Sequence, residues 1–483
     1  MTKPTGKLIL AAVSSVVLIS TADGNDIAQS SVVKIEVESY TIDFTMPWIK
    51  SDYVLVSGSG VIINDSYILT VAHVVDHPLA IQVTRAGQAE AYEASIAFIN
   101  DEADLALLAV DDDEFFRQSR PIGLGKAAHL GDEVSIYGFP VGGVQVALTR
   151  GIISRIDSDT YSHSGHWNLV YQTDAAINSG ASGGPAISGD RLVGLSFQGY
   201  DELDNTGYII PIPVVEQFLK DIEDGQVDGL PGELFITQST GNDQLLEYLQ
   251  LPTDETGVLV RKQANRKEVN ALLRDDDVIT AIDSMSIAHD GTIEVSSGER
   301  ASYFYYITQQ QVGDSINLKV WRNAGWVNVR YPLTKRLSDI YSMSSNGSLY
   351  VPDYLIIGGI VFTELSHDYL NLFEGSVGLL DQYMDDLIKD YATERAAPIV
   401  VSERFPHKIN QGYEFEDQIL KSVNGKPVAS LSELRTMLLG NKQSWIKLGF
   451  EPTKDIIVFS KEQLLEARDE IIDSYDLEQE KVF

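Results

Sequence analysis

The chain has 483 residues, more than one ordinary core holds, so two or three folded units are expected. With 44% hydrophobic and 22% charged residues it can bury real cores, which excludes wholesale disorder; its net charge is −34. A surface that acidic repels phosphate backbones and anionic lipid, so no nucleic-acid partner is expected. The absence of cysteine excludes disulfide scaffolds, thiolate nucleophiles and cysteine-ligated metal centres.

At the N-terminus, Lys3 and Lys7 precede an apolar run from Leu8 to Ser20, too short to cross a bilayer, which takes about 20 residues. Ser20-Thr21-Ala22 then offers small residues for cleavage before Asp23. Residues 1–22 therefore read as a signal peptide, and the mature protein as periplasmic or secreted. An uncleaved anchor or a buried first strand is the competing reading, and Ser14 and Ser15 dilute the run against it. No other stretch is long and apolar enough for a stable membrane span.

From Ser31 to Asp224 short apolar or alternating runs are split by Gly, Asn and Asp, the pattern of an antiparallel barrel or sandwich. Pro213–Ile222 has helical periodicity, and the acidic, Gly-containing stretch Glu223–Gly232 suits a linker. Beyond it, Asp276–Asp283 and Asp417–Asn424 repeat one pattern 141 residues apart: an acidic entry, an apolar strand and a tight turn. Two related β-rich modules are expected there. The end, residues 467–483, reads as a charged, helix-prone tail that is solvated.

The chemistry-bearing residues lie in the first unit. His73 ends the run Thr70-Val71-Ala72-His73, Asp104 enters the apolar run Leu105–Leu108, and Ser182 lies in Gly180-Ala181-Ser182-Gly183-Gly184-Pro185. A serine hydroxyl needs a base to take its proton, histidine suits that role near neutral pH, and a carboxylate holds the ring in one tautomer. The flanking glycines permit a tight turn that aims backbone N–H groups at a developing oxyanion. Asp101 competes with Asp104 on residue type alone. The run His163-Ser164-Gly165-His166 suggests a metal pair, but no third ligand is near and a polar hairpin tip fits better. Acidic Asp111–Glu114 and Asp275–Asp277 lack the alternating spacing of a calcium loop and read as solvated turns. No metal or other cofactor is expected.

These motifs resemble the HtrA/DegP family of chymotrypsin-like serine proteases. The resemblance rests on Thr173-Asp174-Ala175-Ala176-Ile177-Asn178 before Ser182, with Tyr137-Gly138-Phe139-Pro140, Gly151–Arg155 and Gly207–Pro211. Asp111–Phe116 and Tyr354–Phe362 are similar to the plant Do-like branch, whose second PDZ domain is diverged. The resemblance implies a mainly β fold: a chymotrypsin-like double β-barrel at 28–225, then PDZ-like α+β domains at 230–337 and 341–466. It implies Ser182 as nucleophile, His73 as base and Asp104, which matches the family where Asp101 does not, as its orienting carboxylate. The N–H groups of Gly180 and Ser182 would form the oxyanion hole, and Ile177 and Phe197 would line the substrate pocket. Ala181 stands where the family usually has Asn, so a loop-anchoring side chain is lost; Val71 is a second departure, where relatives often have Asn.

For peptide capture by strand addition, Ile357-Gly358-Gly359-Ile360 is the glycine-bearing PDZ loop, while Glu233-Leu234-Phe235-Ile236 is the corresponding stretch of the first PDZ. The implied activity is ATP-independent endoproteolysis of unfolded or misfolded proteins by a homo-oligomer, a trimer or a multiple of it. The alternatives are a proteolytically weak chaperone on the same fold, favoured by Ala181, and a scaffold acting through its PDZ domains.

Overall fold

Along Val32–Ile42 buried and partly exposed residues alternate, with Val33, Ile35 and Val37 wholly inaccessible, so this strand (β1) presents one face to a core. A computed structural model describes residues 29–117, 119–199, 206–263, 269, 271–296, 298–340, 347–371, 397–414, 418–451 and 453–483. The expected signal peptide at 1–22 lies outside the described residues, as does Asp417 of the internal repeat.

β1 joins β2 (Lys50–Ile62), β3 (Ile68–Thr70), β4 (Pro78–Arg85), β5 (Ala91–Asn100) and β6 (Leu105–Val110) in a closed barrel of order β1-β2-β3-β6-β5-β4. A second closed barrel of order β10-β11-β12-β9-β8-β7 follows. Its strands are β7 (Glu133–Gly138), β8 (Ala147–Thr160), β9 (Trp167–Thr173), β10 (Pro185–Ser188), β11 (Arg191–Gly199) and β12 (Gly207–Pro211). Closure removes free sheet edges, and register is held by one-sided burial. The helix expected near Pro213–Ile222 spans Ile212–Asp221, with Val214, Val215 and Phe218 buried against the second barrel.

The next unit is a sheet of order β13-β14-β15-β19-β20, built from β13 (Phe235–Ser239), β14 (Val258–Gln263), β15 (Val278–Ile282), β19 (Ser315–Arg322) and β20 (Gly325–Pro332). Short β16 (Met285–Ser286) pairs with β15, and β17 (Thr292–Ser296) pairs with β18 (Glu299–Ser302). The last sheet runs β21-β22-β23-β24-β26-β27, with β25 (Lys426–Pro427) paired to β24. Its strands are β21 (Tyr354–Ile357), β22 (Ile360–Glu364), β23 (Ile399–Arg404), β24 (Ile419–Val423), β26 (Trp445–Glu451) and β27 (Ile456–Ser460).

The internal repeat is structural down to its turns. β15 and β24 occupy matching places, and Asp283 and Asn424 follow them with φ of +48° and +50°. The Asp283 N–H donates to the Asn317 carbonyl and the Asn424 N–H to that of Lys447. In return the Asn317 and Lys447 N–H groups donate to the Asp283 and Asn424 side chains. Asx residues tolerate that left-handed backbone and bond locally, which explains why the turn positions repeat.

One expectation needs correction: the C-terminal stretch is not a solvated tail. Helix Lys461–Tyr475 buries Leu464, Ala467, Ile471 and Ile472, whose spacing marks one helical face, and the Phe483 N–H donates to the Ile356 carbonyl of β21. The stretch Ile357-Gly358-Gly359-Ile360 joins β21 to β22. Gly358 and Gly359, both at positive φ, make a two-residue hairpin turn between β21 and β22. Asn410 Nδ2 donates to the Gly358 carbonyl and the Phe405 N–H to that of Gly359, so the turn is packed from outside.

Candidate active site

Asp104 is placed by a tight turn. Its N–H donates to the Asp101 carbonyl, its φ is +51°, and β6 begins at the next residue. Its side chain is 1% exposed, as a carboxylate that orients a ring in low dielectric requires. His73 stands on the one-turn helix Ala72–Val75 just past β3. Asp104 holds it twice: Oδ2 accepts from the ring Nδ1 at 2.7 Å and Oδ1 from the His73 backbone N–H at 2.9 Å. With Nδ1 committed, Nε2 is the ring atom left to exchange a proton.

Ser182 comes from the second barrel, on the turn before β10. Its hydroxyl donates to the Phe197 carbonyl at 3.3 Å and makes no hydrogen bond to His73 among the described residues. The N–H groups of Gly180 and Ser182 have no acceptor among the described residues, so both are available to a ligand. Gly180 has φ +91°, and a Cβ there would lie 2.5 Å from the Phe139 carbonyl oxygen, so only glycine fits. Ile177 and Phe197 both line the cleft with His73 and Ser182.

Ala181 is 8% exposed and lies against Gly138, and other groups hold its loop. Ser59 Oγ donates to the Gly180 carbonyl and accepts from the Phe139 N–H, while Ser196 Oγ donates to the Ala181 carbonyl. Sequence reasoning missed Ser59 and Ser196. The glycines around Ser59 were the available signal, since glycine in a strand marks close backbone approach.

It also missed Glu102, next to the triad turn and 2% exposed. Its carboxylate accepts from the Leu230 N–H at 2.6 Å, the Ser338 N–H at 2.7 Å and Arg336 Nε at 3.3 Å. The chain thus enters and leaves the β13–β20 unit beside the turn that carries Asp104. Asp101, the rejected competitor, accepts instead from the Ser348 N–H ahead of the last unit.

A serine hydroxyl, a histidine held by a buried carboxylate and two free amides, brought together here, suit acyl transfer. The double barrel around them defines a trypsin-like serine endopeptidase, and residues 58–195 match the trypsin-like peptidase domain while residues 347–481 match a PDZ domain. "Protease Do-like 2, chloroplastic" of Arabidopsis thaliana is 32% identical over 87% of this chain and 70% of its own. "Putative protease Do-like 3, mitochondrial" of the same plant is 31% identical over 90% of this chain and 77% of its own. The chain belongs to the HtrA/Do-like serine protease family. Among solved structures, "HtrA-type protease AlgW with tripeptide" is 25% identical, covering 64% of this chain and 95% of that one with a TM-score of 0.50.

Proposed function

We propose that Ser182, His73 and Asp104 carry out acyl transfer on unfolded or misfolded proteins without ATP. Ser182 Oγ attacks the scissile carbonyl, and His73 takes its proton at Nε2 and returns it to the leaving amine. Water then releases the acyl-enzyme by the same route. The developing oxyanion is met by the Gly180 and Ser182 amides. The observation that carries this reading is the double hold of Asp104 on His73, which fixes the tautomer a base requires.

The Ser182–Phe197 contact supports a resting state that substrate relieves. An extended chain donating its own N–H to the Phe197 carbonyl displaces the Ser182 hydroxyl and leaves it free for His73. Substrate therefore assembles its own catalytic pair, which suits an enzyme that must spare folded neighbours. The domains proposed are a protease unit over 28–225 and PDZ domains over 230–337 and from 341 onward. These PDZ domains regulate or assemble the enzyme as a homo-oligomer, a trimer or its multiple.

The flanked apolar run at 8–20 supports export, cleavage before Asp23 and work in the periplasm or outside the cell. The chloroplastic and mitochondrial names of the relatives favour an organelle as the second reading. N-terminal sequencing of the mature protein from fractionated cells separates the two. For the activity itself, casein should be cut and a stable folded protein spared, and Ser182→Ala should lower casein turnover by about a million-fold. Casein turnover that survives this change would refute the assignment.

A further inference from the structure

The run His163-Ser164-Gly165-His166 is not absorbed by the reaction above, yet it touches the reaction's base. The His163 ring stacks on His73, centroids 3.7 Å apart and planes 12° from parallel. The loop joining β8 to β9 is fixed to both barrels around it. The Tyr161 N–H donates to the His166 carbonyl, the Ser162 N–H to Gln198 Oε1, and Ser164 Oγ to the Glu102 carbonyl at 3.3 Å. Tyr161 anchors it from below, wholly buried against Phe197. The stack is therefore built into the fold.

The cleft gives the stack a consequence. Ile177, Ser179, Gly199 and Thr206 line it together with Val56, His73 and His163; Ile177 lies against Gly199 and Gly207, and His163 against His73. A substrate lying extended along Phe197–Gly199 alternates the direction of its side chains. When the residue at the scissile carbonyl enters the Ile177 recess, the residue before it points at the face of His73. That is the face His163 covers.

We infer that His163 is a specificity-determining residue: it walls the subsite for the side chain immediately before the one at the scissile bond and restricts it to small residues. Burial and the neighbouring His73 lower the His163 pKa to about 4, so its ring is neutral at working pH and adds no charge beside the imidazolium that forms. The wall is thus steric and aromatic. This inference rests on the protease reading, and its test keeps the two apart.

The test uses the full chain, with two fluorogenic peptide series that differ only in that position: glycine and alanine against leucine and phenylalanine. The wild type should prefer the small residues in kcat/KM by about 10-fold or more, the discrimination a steric wall supplies. His163→Ala should abolish that preference, and His163→Phe, which keeps a ring on His73, should retain it. Fluorophosphonate labelling of all three proteins shows that the nucleophile is intact. Equal preference in wild type and His163→Ala, with labelling intact, would overturn the inference. Absence of labelling in the wild type would instead overturn the protease reading.

Discussion

At the scale of single residues, the His73–Asp104 pair was legible because chemistry restricts the residue types that can make it. His73 and Asp104 each adjoin an apolar strand, and their pairing at 2.7 Å follows from two strands of one barrel. The partners of the loop around Ser182 were not legible. Ala181 suggested a lost anchor, but Ser59 and Ser196 supply it from positions that are remote in sequence. Gly180 gives the sharpest test of the oxyanion hole. Gly180→Ala forces a Cβ into the Phe139 carbonyl and the Val141 N–H while the residue holds φ +91°. Turning that amide away should cost on the order of 100- to 1000-fold in kcat, measured on a fluorogenic peptide. An unchanged kcat would remove Gly180 from the hole.

At the scale of elements, strand positions read well because alternation reports one-sided burial. Turn geometry read less well: the glycines Gly358-Gly359 were legible, but not the two-residue hairpin they make or its packing by Phe405 and Asn410. The last helix was misjudged because its charges outnumber its apolar residues, although Leu464, Ala467, Ile471 and Ile472 already mark a stripe.

Glu233, just ahead of β13, makes a prediction at this scale. Burial pushes its carboxyl up to about 8, with Tyr331 nearby. Between the ordinary carboxyl value of 4.5 and about 8 the folded state holds a proton that the unfolded chain has released. Stability is therefore lost as pH rises through that window. Hydrogen exchange at the β13 amides should quicken from pH 5 to 8.5, after correction for intrinsic rates, and Glu233→Gln should flatten the trend. The same slope in both proteins would contradict it.

At the scale of the molecule, the units are joined where catalysis is prepared. Glu102 binds the segments that enter and leave the β13–β20 unit, two residues from Asp104. The tip of the β1–β2 hairpin reaches the last unit, where Trp48 packs on Tyr354 and Phe405. None of this shows in the sequence, since the partners lie hundreds of residues apart.

A chain cut after Gly229 loses the Leu230, Arg336 and Ser338 donors together and leaves a buried carboxylate bare. It should lose about 3–5 kcal/mol of barrel stability in urea unfolding, and Glu102→Gln should restore part of it. A cut after Ser338 keeps all three donors, though it loses the Trp48 and Asp101 contacts to the last unit, and should leave the barrel more stable than the cut after Gly229. Equal barrel stability after both cuts would show that Glu102 does not depend on its partners. Light scattering on the same proteins reports whether the last unit sets the oligomer.

The central claim is that Ser182 is the nucleophile, raised by His73. Labelling the full-length protein with a fluorophosphonate, followed by peptide mapping, tests it most directly. The account predicts one adduct per chain, on the peptide holding Ser182, with labelling slowed by orders of magnitude in His73→Ala. An adduct on another serine, or casein hydrolysis that continues without any adduct, would contradict it.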